Sequence, residues 1–176
     1  MKLKLIFTLI ISALFFSLGL SKKVLKKVNK TIQTTYNVEE FNLLPVVIKD
    51  EVKAQLPRKI GDNNLFKIEA TEAIIGYAYI DQAPSKTATY DFLVLFDTDL
   101  IVTKSKVLIY REEYGGEIGS KRWLKQFIGS SKEDTFKLNE NIIAIAGATI
   151  SVNSMTKAMN EVLQNIGKLQ ELNVIN

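Results

Sequence analysis

The pattern of apolar and polar positions divides the chain before any motif is considered. Lys2 and Lys4 precede an apolar run from Leu5 to Leu20, the arrangement of a signal peptide or a short membrane anchor. Residues 31–47 show no periodicity, and Pro45 breaks them. Ile48 to Leu56 predicts a short helix that Pro57 stops. Alternation over Leu65–Ala70 and Ala73–Ile80 predicts two strands, the second with a bulge or close backbone approach at Gly76. A turn at Gln82–Lys86 contains Pro84. Thr87–Phe96 and Leu100–Tyr110 predict two more strands around a tight turn at Asp97-Thr98-Asp99. Connections this short cannot hold helical crossovers, so the four strands form an antiparallel meander. Ser120 then caps a short helix with Trp123, Leu124 and Phe127 on one face. Asn141–Ile145 reads as a short apolar strand. Beyond Thr149 a long helix carries Met155, Ala158, Met159, Val162, Ile166 and Leu169 at helical spacing. The expected fold class is α+β: an antiparallel sheet with packed helices, one domain after an N-terminal export or anchor segment. The expected segments are 1–21, a signal peptide or anchor; 22–60, an N-terminal extension; and 61–176, the domain itself.

Composition narrows the chemistry. Of 176 residues, 47% are apolar, enough for a packed core. Histidine and cysteine are both absent. Disulfides, thiolate nucleophiles, His/Cys metal sites and histidine bases therefore have no residues to form them. A redox role would need a bound organic cofactor. The net charge of +4 comes from the leader: residues 1–30 hold seven of the 23 basic residues and none of the 19 acids. The rest carries 16 basic against 19 acidic groups, a net −3, so no basic surface for nucleic acid is expected from the domain.

Three segments carry candidate chemistry. At Ala146-Gly147-Ala148-Thr149-Ile150-Ser151 a strand is expected to give way to a helix. Small residues let a ligand approach the backbone, and the free N–H groups of a first helical turn favour an anion such as phosphate. The same residues also suit plain N-capping by a hydroxyl. Glu112-Glu113-Tyr114-Gly115-Gly116-Glu117-Ile118 could lay a planar ring against glycine backbone, or serve as an ordinary turn. Trp123, Leu124 and Phe127 could wall a cofactor or fill the core.

In order along the chain, Gly76-Tyr77, Tyr110–Ile118, Arg122–Gly129 and Ala146–Ser151 resemble the FMN-binding domain of the Rnf complex G subunit, of the C subunit of sodium-pumping NADH:quinone reductase and of small exported flavoproteins. The resemblance spans about Leu65 to Leu169. It implies an extracytoplasmic (periplasmic) electron carrier whose FMN is joined through its phosphate to Thr149 by a periplasmic flavin transferase. It implies Thr149, Ala148, Gly147, Ala146, Ser151, Glu113, Tyr114, Gly115, Gly116 and Trp123 as flavin neighbours, and membrane redox proteins as electron donors. Two positions depart from the family pattern: Ala146 replaces a serine, and Ile143 stands where an aspartate is usual. A flavin-dependent reductase and a non-flavinylated binding or interaction module, one that has lost flavin, are the alternative readings.

Overall fold

The computed structural model describes residues 20–176. Its centre is a five-stranded antiparallel meander in the order β1-β2-β3-β4-β5. The strands are β1 (Asn42–Pro45), β2 (Leu65–Ala70), β3 (Ala73–Pro84), β4 (Thr89–Phe96) and β5 (Val102–Ile109). The helices are α1 (Lys22–Tyr36), α2 (Asp50–Lys53), α3 (Lys121–Leu124) and α4 (Thr149–Glu171). The α+β architecture and the meander expected from sequence are both present. No helix among the described residues is long and apolar enough to cross a membrane. The apolar run 5–20 lies, except for Leu20, outside those residues.

The sheet is buried on both faces, which explains why β4 reads as an almost continuous apolar run. One face packs Leu65, Tyr79, Phe92 and Phe96 under α4, whose Met155, Met159, Val162 and Leu163 are fully buried. The other packs Phe66, Ile68, Leu93 and Leu95 under Val24, Val28 and Ile32 of α1. Those three α1 residues recur every four positions, one stripe of a helix whose other positions are largely lysine and polar. Ser21 caps α1 by accepting a hydrogen bond from the Val24 amide, 3.3 Å.

Several expectations need correction. Residues 31–36 are not irregular but complete α1, and β1 pairs with β2 from Asn42↔Glu69 to Pro45↔Phe66. Segment 22–60, expected as an extension, thus contributes a helix and an edge strand to the sheet. The β-branched Thr31, Ile32, Thr34 and Thr35 have weak helix propensity, which burial of Ile32 overrides. Pro45 is tolerated because β1 is an edge strand. Strand β3 runs through Gln82 to Pro84, and the turn is Ser85–Ala88, closed by the Ser85 amide donating to the Ala88 carbonyl at 2.8 Å. The expected helix 48–56 is reduced to α2. Asn141–Ile145 is no strand: its only ladder contact is an isolated bridge between Leu138 and Ile142. At Gly76 both expectations hold. The β2–β3 register shifts opposite Ile68/Glu69, and a Cβ at Gly76 would overlap the Phe96 carbonyl, to which Tyr36 donates a 2.7 Å hydrogen bond.

Candidate functional site

The site forms where three chain segments leave the sheet and meet the start of α4. Beyond β5, Tyr110–Gly115 makes a loop that leads into a 3-10 turn at Gly116–Gly119. Gly115 takes φ +81, and a Cβ there would lie 2.9 Å from the Tyr110 hydroxyl and 3.2 Å from the Ala148 side chain. Only glycine permits both the left-handed backbone and this approach. The sequence therefore brings the Gly115 loop and the Ala146–Thr149 segment together in space. Gly116 faces open space, with nothing within 4 Å of a Cβ.

Ser120 opens α3, its hydroxyl accepting from the Trp123 amide at 3.3 Å, as expected from sequence. Trp123, Leu124 and Phe127 are buried together. Trp123 meets Phe127 edge-on at 5.3 Å, and Phe127 meets Phe136 in the same way at 4.8 Å. The indole N–H of Trp123 donates to the Ile143 carbonyl at 2.7 Å, and the Ile143 amide donates to the Gln126 side chain at 2.7 Å. These two side chains occupy the backbone groups that a strand would have given to a neighbour. This is why 141–145 stays irregular, and it leaves the Ile143 side chain 70% exposed. Between this segment and α3 lies a groove of about 440 Å³, lined by Glu117, Ser120, Arg122, Trp123 and Gln126 on one side and Ile143–Ala146 on the other. Trp123 is thus both core and groove wall.

The groove leads to α4. Gly147 adopts φ +77, a conformation costly for any other residue. Ala148, buried, occupies the N-cap position, and no side chain caps the helix. The plain capping role considered for Thr149 and Ser151 is therefore not what the structure shows. Thr149 is the first helical residue and is exposed. Ser151 is buried and shares a 3.0 Å hydrogen bond with Tyr110. Tyr90 donates to the Ser151 carbonyl at 3.1 Å and contacts the Ser154 hydroxyl at 2.9 Å. Burial pushes the Tyr90 hydroxyl up to about 12, so it stays protonated and able to donate. Strand β4 and the loop after β5 thus fix the first turn of α4 through side-chain hydroxyls, while its N–H groups are left without a side-chain acceptor.

Of the other expected neighbours, Ala146 lines the groove, Tyr114 is 77% exposed beside Gly115, and Glu113 is exposed. Glu112 acts on structure: its carboxylate accepts from the Thr87 and Ala88 amides at 2.7 and 3.3 Å. These bonds, with that from Ser85 foremost, hold its carboxyl below the usual range. Gln126, Ile145 and Tyr110 were not singled out from sequence as site residues. Tyr110 and Gln126 act through partners 41 and 17 positions away, a relation that no local pattern encodes.

Residues 87–164 match the FMN-binding domain family. The matched segment runs from the β3–β4 turn into α4 and contains every candidate site residue. The crystal structure of Shewanella oneidensis NqrC is similar in fold, with a TM-score of 0.51 and 14% identity over 80% of this chain and 92% of that one. No curated protein matches the chain in sequence. The FMN-binding domain match supports FMN as the ligand.

The site fits the group physically. An anion is favoured at the open first turn of a 23-residue helix. The adjoining groove has an aromatic wall, Trp123, and an exposed apolar residue, Ile143, in its lining, as a planar, largely apolar ring system requires.

Proposed function

We propose that this chain is an extracytoplasmic electron carrier in which FMN is joined through its phosphate to Thr149. The observation that carries this reading is the exposed Thr149 hydroxyl on the uncapped first turn of α4, next to the groove. When bound, FMN supplies one- and two-electron redox chemistry that the side chains of this sequence do not offer. The chain's own residues do the rest. Gly147 turns the backbone into an uncapped α4 start, whose first-turn amides would hold the phosphate and favour its charge. Tyr110 and Tyr90 hold that turn against the sheet. Trp123 and Ile143–Ala146, which line the groove, would border the ring and keep water from one side of it. Modification would form a bond between the Thr149 hydroxyl oxygen and the FMN phosphorus of FAD, break the FAD pyrophosphate bond, release AMP as the leaving group and lose the hydroxyl proton to solvent; a periplasmic flavin transferase is the expected catalyst. The apolar run 5–20 fits export or anchoring, and membrane redox proteins are the expected donors.

Ile143 and Ala146 favour a second reading, in which FMN is held without the covalent bond. Ile143 is 70% exposed, so a carboxylate there would remain solvated and would not disturb the core. Co-expression with a flavin transferase followed by intact-mass measurement separates the readings. An FMN adduct on the wild type, absent from Thr149→Ala, is the expected result, with Ile143→Asp raising the modified fraction. A yellow protein with no adduct supports non-covalent binding. A colourless protein of unmodified mass overturns the flavin reading, and an adduct retained by Thr149→Ala overturns the attachment site.

A further inference from the structure

The face of α1 turned away from the sheet has a distinct electrostatic character. No acidic residue occurs before Glu39. Lys23, Lys26 and Lys30 are exposed on α1. Lys104 and Lys106 project from β5 on the same side of the sheet, opposite Leu95 and Leu93 of the α1-facing core. Lys106 is tied to the helix, donating to the Thr31 hydroxyl at 2.9 Å. Lys121, at the start of α3, lies close enough to add to the positive field at Lys106. Among the described residues, none of these six lysines takes part in an ion pair, whereas eight ion pairs elsewhere use Lys53, Arg58, Arg111, Lys137, Lys157 and Lys168. Burial and then the surrounding lysines hold the Lys106 ammonium below its usual range. Six like charges gathered from three elements, in a domain whose remainder is net acidic, amount to an uncompensated field awaiting an anionic partner.

We propose that this face, α1 with the adjoining edge of β5, docks on the anionic headgroups of a phospholipid bilayer. Two observations select a bilayer over other anions. The apolar run 5–20 enters α1 directly, with Ser21 as the cap, so whenever that run is in a membrane, α1 begins at its surface. Lys26 and Lys30 border a shallow depression of about 690 Å³ on α1, shared with Leu25, Asn29 and Thr34, but Lys23, Lys104, Lys106 and Lys121 lie outside its lining, so the charges spread along a helix and a strand edge, as an extended charged plane requires. A second copy of the chain is disfavoured, because like surfaces would meet. The consequence is orientation: with Lys121 at the start of α3, docking holds the groove beside Trp123 near the headgroup layer. The docking itself does not depend on whether flavin is bound.

The test uses the full chain reconstituted in vesicles, one set of phosphatidylcholine alone and one containing phosphatidylglycerol. Because the chain has no cysteine, a fluorophore can be placed singly at Gln33→Cys, exposed on α1, or at Val47→Cys, 88% exposed just beyond the opposite edge strand. A headgroup-linked quencher reads proximity. Quenching at position 33, not at 47, is expected only with phosphatidylglycerol, and it should fade in high salt. The triple variant Lys23→Gln, Lys26→Gln, Lys30→Gln should lower the docked-to-free ratio about fivefold per lysine, roughly 100-fold in all. It should keep wild-type circular dichroism, because Val24, Val28 and Ile32 still bury. Should the variant fail to fold, the lipid and salt comparisons on the wild type decide alone. Equal quenching in both vesicle types, or none in either, overturns the proposal. So does tighter protection of position 33 by polyglutamate than by phosphatidylglycerol, which would assign the face to an acidic protein.

Discussion

Two helices of this domain begin 28 residues apart and are started in opposite ways. The four-residue α3 has an extended N-cap, Ser120, whose hydroxyl accepts from the Trp123 amide. The 23-residue α4, with the larger dipole and the larger buried face, starts at Ala148, which has no side-chain oxygen, after a left-handed Gly147. The chain closes the end of its short helix and leaves open that of its long one. Orphan N–H groups are ordinarily satisfied by a cap, by water or by a ligand. The α4 start is otherwise well fixed, by Tyr110 and Tyr90 from the sheet side. A rigid turn with free donors and an exposed threonine is preorganised for an external anion, whereas the α3 start is complete by itself.

The comparison is most sharply broken at Gly115, which holds the β5 loop against the α4 start. Gly115→Ala forces an L-residue to φ +81 with its Cβ against Tyr110 and Ala148. A loss of about 2–3 kcal/mol in urea-unfolding stability is expected. Flavin incorporation should fall with it, since the loop shapes the same turn. An unchanged unfolding midpoint would mean that this loop does not fix the α4 start.

How much of this was legible in the sequence follows from what each part depends on. The Gly115 loop and the Ser120 cap were readable because each rests on a residue type with a narrow conformational role. The central strands β2 to β5 were readable from their apolar and β-branched content. Helix α1 was not, because its stripe of Val24, Val28 and Ile32 lies among lysines that also read as the flank of a leader. The environment of Ile143 was hidden for another reason. Its backbone, not its side chain, accepts from Trp123 and donates to Gln126, and backbone hydrogen bonds leave no trace in residue identity. The groove depends on that clamp, so its shape needed the structure even though Trp123 was a candidate.

The capped helix gives the intermediate effect. Ser120→Ala removes the only oxygen that accepts the Trp123 amide at the α3 start. The expected cost is about 1 kcal/mol, read as a lower urea midpoint with an unchanged slope. Because Trp123 also walls the groove, flavin fluorescence should shift slightly while the covalent adduct persists. A Ser120→Ala protein as stable as the wild type would show that the two helix starts do not differ as their geometry says.

The smallest effect on stability is expected at Thr149 itself, and its sign carries the argument. Thr149 lies at the first helical position, exposed, and caps nothing. Alanine has the higher helix propensity, so Thr149→Ala should leave the unmodified protein unchanged or more stable by about 0.5 kcal/mol. Ser120 and Thr149 would then be hydroxyl residues at helix starts with inverted profiles: one lowers stability when lost and leaves the adduct, the other leaves stability and abolishes the adduct. Urea unfolding of unmodified Thr149→Ala, beside intact mass after co-expression with the transferase, reads both halves. A loss near 1 kcal/mol at Thr149 would restore an ordinary structural role to that hydroxyl and remove the physical ground for assigning it to a phosphate.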